Sequence, residues 1–236
     1  MWHIFFDLDL TLICRRDATQ HPSKPQLTNI SQHVIGNLST GATNQYNPTD
    51  PICSPIYQQQ HTEFFEHFAR NAAGKAKLFF ISAGDYPEIK TKTILKMFFA
   101  RSESSQHLID NAGYFERNDL LPFANIDYDK TPEAERITAM AEAKAMMMQL
   151  QSGEFASANS GQSISPLNVI LIDDEPANRQ AVLKKYFQVI NPCAASYTAR
   201  LQTLQSLIPS GMHRFIKDDQ DRPRKTLSEL MQSLEI

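Results

Sequence analysis

A chain of 236 residues with 42% hydrophobic content is long enough for one substantial core, or for a core domain carrying a smaller insertion. Its formal charge of −3 with mixed signs gives no global electrostatic footprint for nucleic acid, and no nucleic-acid function is expected. Cys14, Cys53 and Cys193 lack both metal-site spacing and the density of a disulfide scaffold, and no apolar run reaches the length of a signal-peptide core or transmembrane segment, so the expectation is free thiols and a cytoplasmic location.

Trp2-His3-Ile4-Phe5-Phe6 reads as a buried first strand, ending in Asp7, Asp9 and Thr11. From about residue 17 to residue 60 the chain turns to Gln, Asn, Thr, Ser and Pro, which reads as a loop or a small, irregular cap insertion. Phe64, Phe65, Phe68 and Ala72 predict a helix over 61–73, and residues 77–81 a second strand closed by Ser82-Ala83-Gly84-Asp85. Pro87 opens the next helix, with Ile89, Ile94, Leu95 and Phe98 on its apolar side. Between 101 and 129 only a short strand at 113–115 is legible.

Thr131 as cap, Pro132 in the first turn, and Glu133 and Glu135 near the positive end of the dipole predict a helix to about Gln151. A loop over 152–165 leads to the clearest strand, residues 168–172, which ends in Asp173-Asp174-Glu175-Pro176. A helix over 177–185, a strand over 187–190 and a helix over 197–208 follow. The tail, 209–236, is polar until Leu227, Leu230, Met231 and Leu234, whose spacing predicts a short amphipathic helix. Packing on the domain is its default; association with a partner or a membrane surface is the alternative.

Strands alternating with helices predict a doubly wound, mostly parallel α/β sheet. In such a sheet the ends carrying Asp7/Asp9, Ser82 and Asp173/Asp174 fall on one edge and converge on one crevice. Four carboxylates gathered there would repel, and a hard cation resolves the conflict. Mg²⁺ suits a carboxylate site without Cys or His, with Asp7 and Asp173 as ligands and Asp174 following, directly or by orienting neighbouring groups.

Phe5-Phe6-Asp7-Leu8-Asp9-Leu10-Thr11-Leu12, Phe80-Ile81-Ser82-Ala83-Gly84 and Ile170-Leu171-Ile172-Asp173-Asp174 resemble motifs one, two and four of the haloacid dehalogenase-like (HAD) superfamily, in the family's order. The direct match covers some twenty positions within residues 1–190. The resemblance implies a Rossmann-like catalytic domain over 1–208, with the insertion at 17–60 standing where a cap occurs. It implies that Asp7 attacks phosphorus to give an aspartyl-phosphate while Asp9 protonates the leaving oxygen and then activates water. Ser82 would bind the phosphoryl group, and the Asp9 backbone carbonyl would join the Mg²⁺ ligands. The presence of Asp9 favours phosphatase over dehalogenase chemistry.

The family's lysine has two candidates. Lys130 precedes the Thr131-Pro132-Glu133 helix start, whereas Lys144 shares an apolar stripe with Ile137, Met140 and Met148 and so needs an anionic partner. Lys144 is favoured and Lys130 is the alternative. Asn178 either contributes through water or faces solvent. Arg15 and Arg16 are read as solvated loop charges, Met146–Met148 as core filling, and the scattered histidines as without ligand spacing.

The expected activity is a Mg²⁺-dependent phosphomonoesterase. A poorly covered site would admit a phosphorylated protein, and the chain is similar to HAD-type phosphatases among effectors of intracellular bacteria, some of which act on phosphotyrosine. That resemblance implies delivery to a host cell without a classical signal peptide. The alternatives are a small-metabolite phosphatase, a phosphotransferase, or an interaction module that keeps the fold without turnover. The intact Asp7/Asp9 pair argues against the last.

Overall fold

A strand buried at every position belongs inside a sheet covered on both faces. Trp2–Phe6 (β1) is such a strand in this computed structural model, which describes residues 1–15, 33–34, 52–158 and 164–210. It is hydrogen-bonded in parallel on one side to Ala76–Ile81 (β5) and on the other to Val169–Ile172 (β7). Gly113–Phe115 (β6) extends the sheet beyond β5, and Gln188–Ile190 (β8) beyond β7. The order is β6-β5-β1-β7-β8, all parallel, an α/β architecture compatible with a Rossmann-like fold. The chain therefore winds outward from β1 in one direction and returns to wind outward in the other. Its switch point lies between β1 and β7.

The two-residue period of β1 divides the core. Trp2, Ile4 and Phe6 pack with residues of Gln58–Asn71 (α1), Glu88–Phe99 (α2), Glu103–Asp110 (α3) and Tyr197–Ser210 (α7). Phe5, on the opposite face, packs with Leu120 of Arg117–Ala124 (α4), with Met140, Ala143 and Met148 of Glu133–Ala158 (α5), and with Ala181 and Val182 of Pro176–Lys184 (α6). Helices thus cover both faces. No helix among the described residues is long and apolar enough to cross a membrane.

Several boundaries differ from the sequence reading. Residues 101–129 hold two helices, α3 and α4; Ser102 caps α3 through a reciprocal bond with Ser105, while Glu66 of α1 accepts from both hydroxyls. The α5 helix starts at Glu133, not at a Thr131 cap. Its first bond runs from the Arg136 N–H to Pro132, and the Thr131 hydroxyl donates instead to the Asp127 carbonyl at 2.7 Å. It also continues to Ala158, through residues expected to be loop. The segment read as a loop or small cap contributes to a second, antiparallel sheet of Ile13–Arg15 (β2), His33–Val34 (β3) and Ile52–Pro55 (β4), in the order β2-β4-β3. Residues 56–60 run into α1, which begins at Gln58, while residues 17–32 and 35–51 and the expected tail helix lie outside the described residues.

One polar cluster is embedded in the apolar layer between α1 and α7. His61 is fully buried; its Nδ1–H donates to the Ile56 carbonyl at 2.8 Å, and the Tyr197 hydroxyl donates to Nε2 at 2.5 Å. Burial holds His61 down to about 4, against the raising influence of the Ile56 bond. A depressed histidine stabilises the fold fully above the unfolded value near 6.5 and loses that contribution as the pH falls toward 4. Urea denaturation between pH 6.5 and 4 should therefore show His61 contributing a loss of up to about 3 kcal/mol. His61→Gln should flatten that slope, and an equally steep slope in the variant would show that other groups are responsible.

Candidate functional site

The strand ends determine what gathers at the switch point. Phe6 is in register with Phe80 of β5 and Ile172 of β7, so the residues that follow reach the same edge of the sheet. The ladder continues one step further: the Asp7 N–H donates to Ile172 O at 2.9 Å, Ser82 N–H to Phe115 O at 2.9 Å and Asp173 N–H to Ile190 O at 3.2 Å. These bonds fix the backbone of all three polar residues. Each side chain is then set by the pleat and not by a mobile loop.

Lys144 reaches this edge from α5 and is 1% exposed. Its Nζ donates to Asp7 Oδ1 at 2.6 Å and to Asp173 Oδ2 at 2.9 Å. Asp173 also accepts from the Asn178 side-chain amide at 2.9 Å and from the Glu175 N–H at 2.8 Å. Burial works against the charge on Lys144, but Asp173 and Asp7 outweigh it and hold the ammonium above its ordinary range. Asp7 is pushed well above the carboxylate range by burial, with Lys144 pulling it down and Asp173, Asp174 and Asp9 adding to the rise. Burial and Asp173 push Asp174 up to about 7.

Asp9 lies within a sharp turn that runs from Leu8 to Ile13. Leu10 adopts φ 57°, in the left-handed region, and the N–H groups of Leu12 and Ile13 both return to Leu8 O, at 3.0 and 2.9 Å. The Tyr86 hydroxyl donates to Asp9 Oδ1 from a nearly buried ring. Gly84 makes room for that ring, because a Cβ there would stand 2.2 Å from Tyr86 Cε2. Ser82 Oγ accepts from the Gly84 N–H at 3.0 Å, so it braces the turn and does not cap α2, which begins six residues later at Glu88.

Asp7, Asp9, Ser82, Lys144 and Asp174 all line one cleft of about 280 Å³, together with Leu10, Tyr128, Arg136, Ile137, Met140 and Glu175 among others. Carboxylate oxygens of Asp7, Asp173 and Asp174 lie within 4.8 Å of one another. Asp7 and Asp173, both buried, share the one ammonium of Lys144, which compensates two carboxylates incompletely in such a setting. Asp173 already accepts three hydrogen bonds, yet a carboxylate has about four lone-pair positions. The all-oxygen donor set therefore fits a hard divalent cation such as Mg²⁺ and is a poor match for a soft one.

Of the two lysines considered, the structure brings Lys144 to the cleft. Lys130 is exposed and pairs with Asp127 at 2.7 Å, away from the cleft-lining residues. Asn178 neither faces solvent nor stands free: it is buried and orients Asp173. Sequence reading missed Tyr86 and Arg179, the latter tying the loop through its guanidinium to the carbonyls of Asp173 and Asp174 at 3.0 and 2.5 Å. Tyr86 carries no local signal beyond its place four residues after Ser82.

Fold and cleft together define an α/β protein with a parallel sheet and an acidic, lysine-bearing crevice at its switch point. No protein-family model matches the chain, and no curated protein matches it.

Proposed function

We propose that the protein is a Mg²⁺-dependent phosphomonoesterase of the HAD type, working through an aspartyl-phosphate on Asp7. The observation that carries this reading is the convergence of the Asp7/Asp9 strand end, Ser82 and Lys144 on one cleft, with Asp173 bonded to Lys144 behind them. The Asp7 carboxylate attacks phosphorus as the ester P–O bond breaks, and Asp9 gives its proton to the departing oxygen. Asp9 then takes a proton from water, whose oxygen attacks phosphorus and releases Asp7. Ser82 donates its hydroxyl hydrogen to a phosphoryl oxygen, and Lys144 holds Asp7 in place and neutralises charge. Asp7, Asp173, Asp174 and the Asp9 carbonyl would hold the magnesium ion, which supplies charge neutralisation on the phosphoryl oxygens.

Leu10, Ile137, Met140 and the Tyr128 ring give the cleft an apolar side next to its carboxylates, which suits an aryl phosphate. Phosphotyrosine on a protein is the substrate favoured; a small phosphorylated metabolite is the alternative, and product analysis separates hydrolysis from transfer to an acceptor.

Magnesium provides the test. At about a hundredfold excess over its dissociation constant it should raise the thermal midpoint by about 5–10 °C. EDTA should stop hydrolysis of an aryl phosphate, and Asp173→Asn should shrink the thermal shift. Unchanged turnover in EDTA together with no shift would refute the reading.

A further inference from the structure

The cleft contains one cation that the proposed chemistry does not use. Asp7, Asp9, Asp174, Glu133 and Glu175 line it, opposed by Lys144 and Arg136. Lys144 is fully engaged with Asp7 and Asp173. Arg136 is half-buried, and its partners are of a different kind: Nη1 donates to the Tyr128 carbonyl at 3.3 Å, and its guanidinium carbon lies 4.7 Å from the centre of the Tyr128 ring. Arg117 reaches the same ring, at 4.2 Å, while its Nε donates to the carbonyl of Ala83. Among the described residues, no carboxylate pairs with Arg136 or Arg117.

A ring and a carbonyl anchor a guanidinium without neutralising it. One of the five N–H donors of Arg136 is used on Tyr128, which leaves a planar fork for a carboxylate or phosphate to take two at a time. Arg136 stands eight residues before Lys144 on α5, two turns or about 12 Å along the axis. It is thus displaced from the Lys144–Asp7 contact toward the start of the helix, with Met140 between them in the cleft wall. Arg136 thus brings to an otherwise acidic cleft a positive charge that no carboxylate of the described residues meets, on a tyrosine ring that Arg117 shares from outside the cleft lining.

We propose that Arg136, steadied by Tyr128, is a specificity-determining residue that receives a second anionic group on the substrate, a carboxylate or phosphate carried on the leaving group some distance from the phosphoryl group being transferred. The proposal rests on the phosphomonoesterase reading for the identity of the first group. The second anion is either part of a small phosphorylated acid or an acidic side chain beside a phosphorylated residue.

The experiment compares kcat/KM for 4-carboxyphenyl phosphate with that for phenyl phosphate, and for a phosphotyrosine peptide flanked by Glu with its Gln-flanked counterpart, in Mg²⁺. The wild-type protein should favour the anionic member of at least one pair by about tenfold. Arg136→Leu and Arg136→Gln, checked for folding by circular dichroism, should each bring that ratio close to one. The pair showing the preference identifies the source of the anion. Binding of 4-carboxyphenylphosphonate and phenylphosphonate is measured calorimetrically in parallel. If no ester is turned over, the phosphatase reading fails, and the binding preference and its loss in the variants still decide the role of Arg136. Equal treatment of both members by the wild type, or a preference that survives both substitutions, would overturn the proposal.

Discussion

Asp7→Asn should abolish hydrolysis of phenyl phosphate, by on the order of 10³-fold or more, while leaving a folded protein. The amide keeps the shape of the carboxylate but offers no nucleophilic oxygen, so the loss falls on kcat. Folding survives because the substitution removes one of several crowded charges: burial and the neighbouring Asp173, Asp174 and Asp9 already make the ionised Asp7 expensive. Lys144 retains Asp173 as its partner at 2.9 Å. Steady-state kinetics and a thermal melt decide the matter together. Substantial residual turnover in a well-folded variant would remove Asp7 from the nucleophile's role.

Lys144→Met has the largest expected effect on stability. It fills similar space with an apolar side chain but leaves Asp7 and Asp173, 5% and 0% exposed, without their cation. Stripping one partner from a buried ionic cluster destabilises by about 3–5 kcal/mol, a large share of the stability of a domain. The pH dependence gives a second reading. Without the lowering influence of Lys144 the folded-state value of Asp7 rises further above its unfolded one, so the folded state binds more protons and stability falls as the pH rises toward neutrality. Urea denaturation at pH 5 and 7 should show the variant closer to wild type at the lower value. Adding Asp7→Asn should recover part of the loss, as a coupled pair requires. A variant as stable as wild type at pH 7 would mean that the three groups are not ionised as their geometry implies.

The strand ends were legible because β1, β5 and β7 are short apolar runs that stop abruptly at a polar residue. The sheet's parallel order then delivers those residues to one edge. Lys144 was legible for a related reason: a lysine in line with Met140 and Met148 faces inward, and only an anion makes that placement tolerable. Lys130 drew attention through its helix-start context alone, which Asp127 satisfies locally. The helices over 101–129 were hidden because their support is non-local. Ser102 and Ser105 are organised by Glu66 from another helix, and α4 carries Pro122, a residue that reads as a breaker. Ser152 and Gly153 concealed the last turns of α5 in the same way. Tyr86 and Arg136 act through partners far along the chain or through a ring, and no periodic pattern marks either kind of contact.

The pairing of β1 has a consequence for how the molecule is made. His3 pairs with Val169, so β1 lacks one of its two neighbours until the distant segment that holds Val169 has also left the ribosome. Until then Trp-His-Ile-Phe-Phe presents an unsatisfied edge of strongly sheet-forming residues, the kind of segment that associates with other chains. Loop closure over such a distance makes the final pairing slow relative to local helix formation. The step that protects this edge also brings Asp7 and Asp173 to Lys144, and in a nascent chain the acidic crevice therefore comes together only as the vulnerable edge disappears.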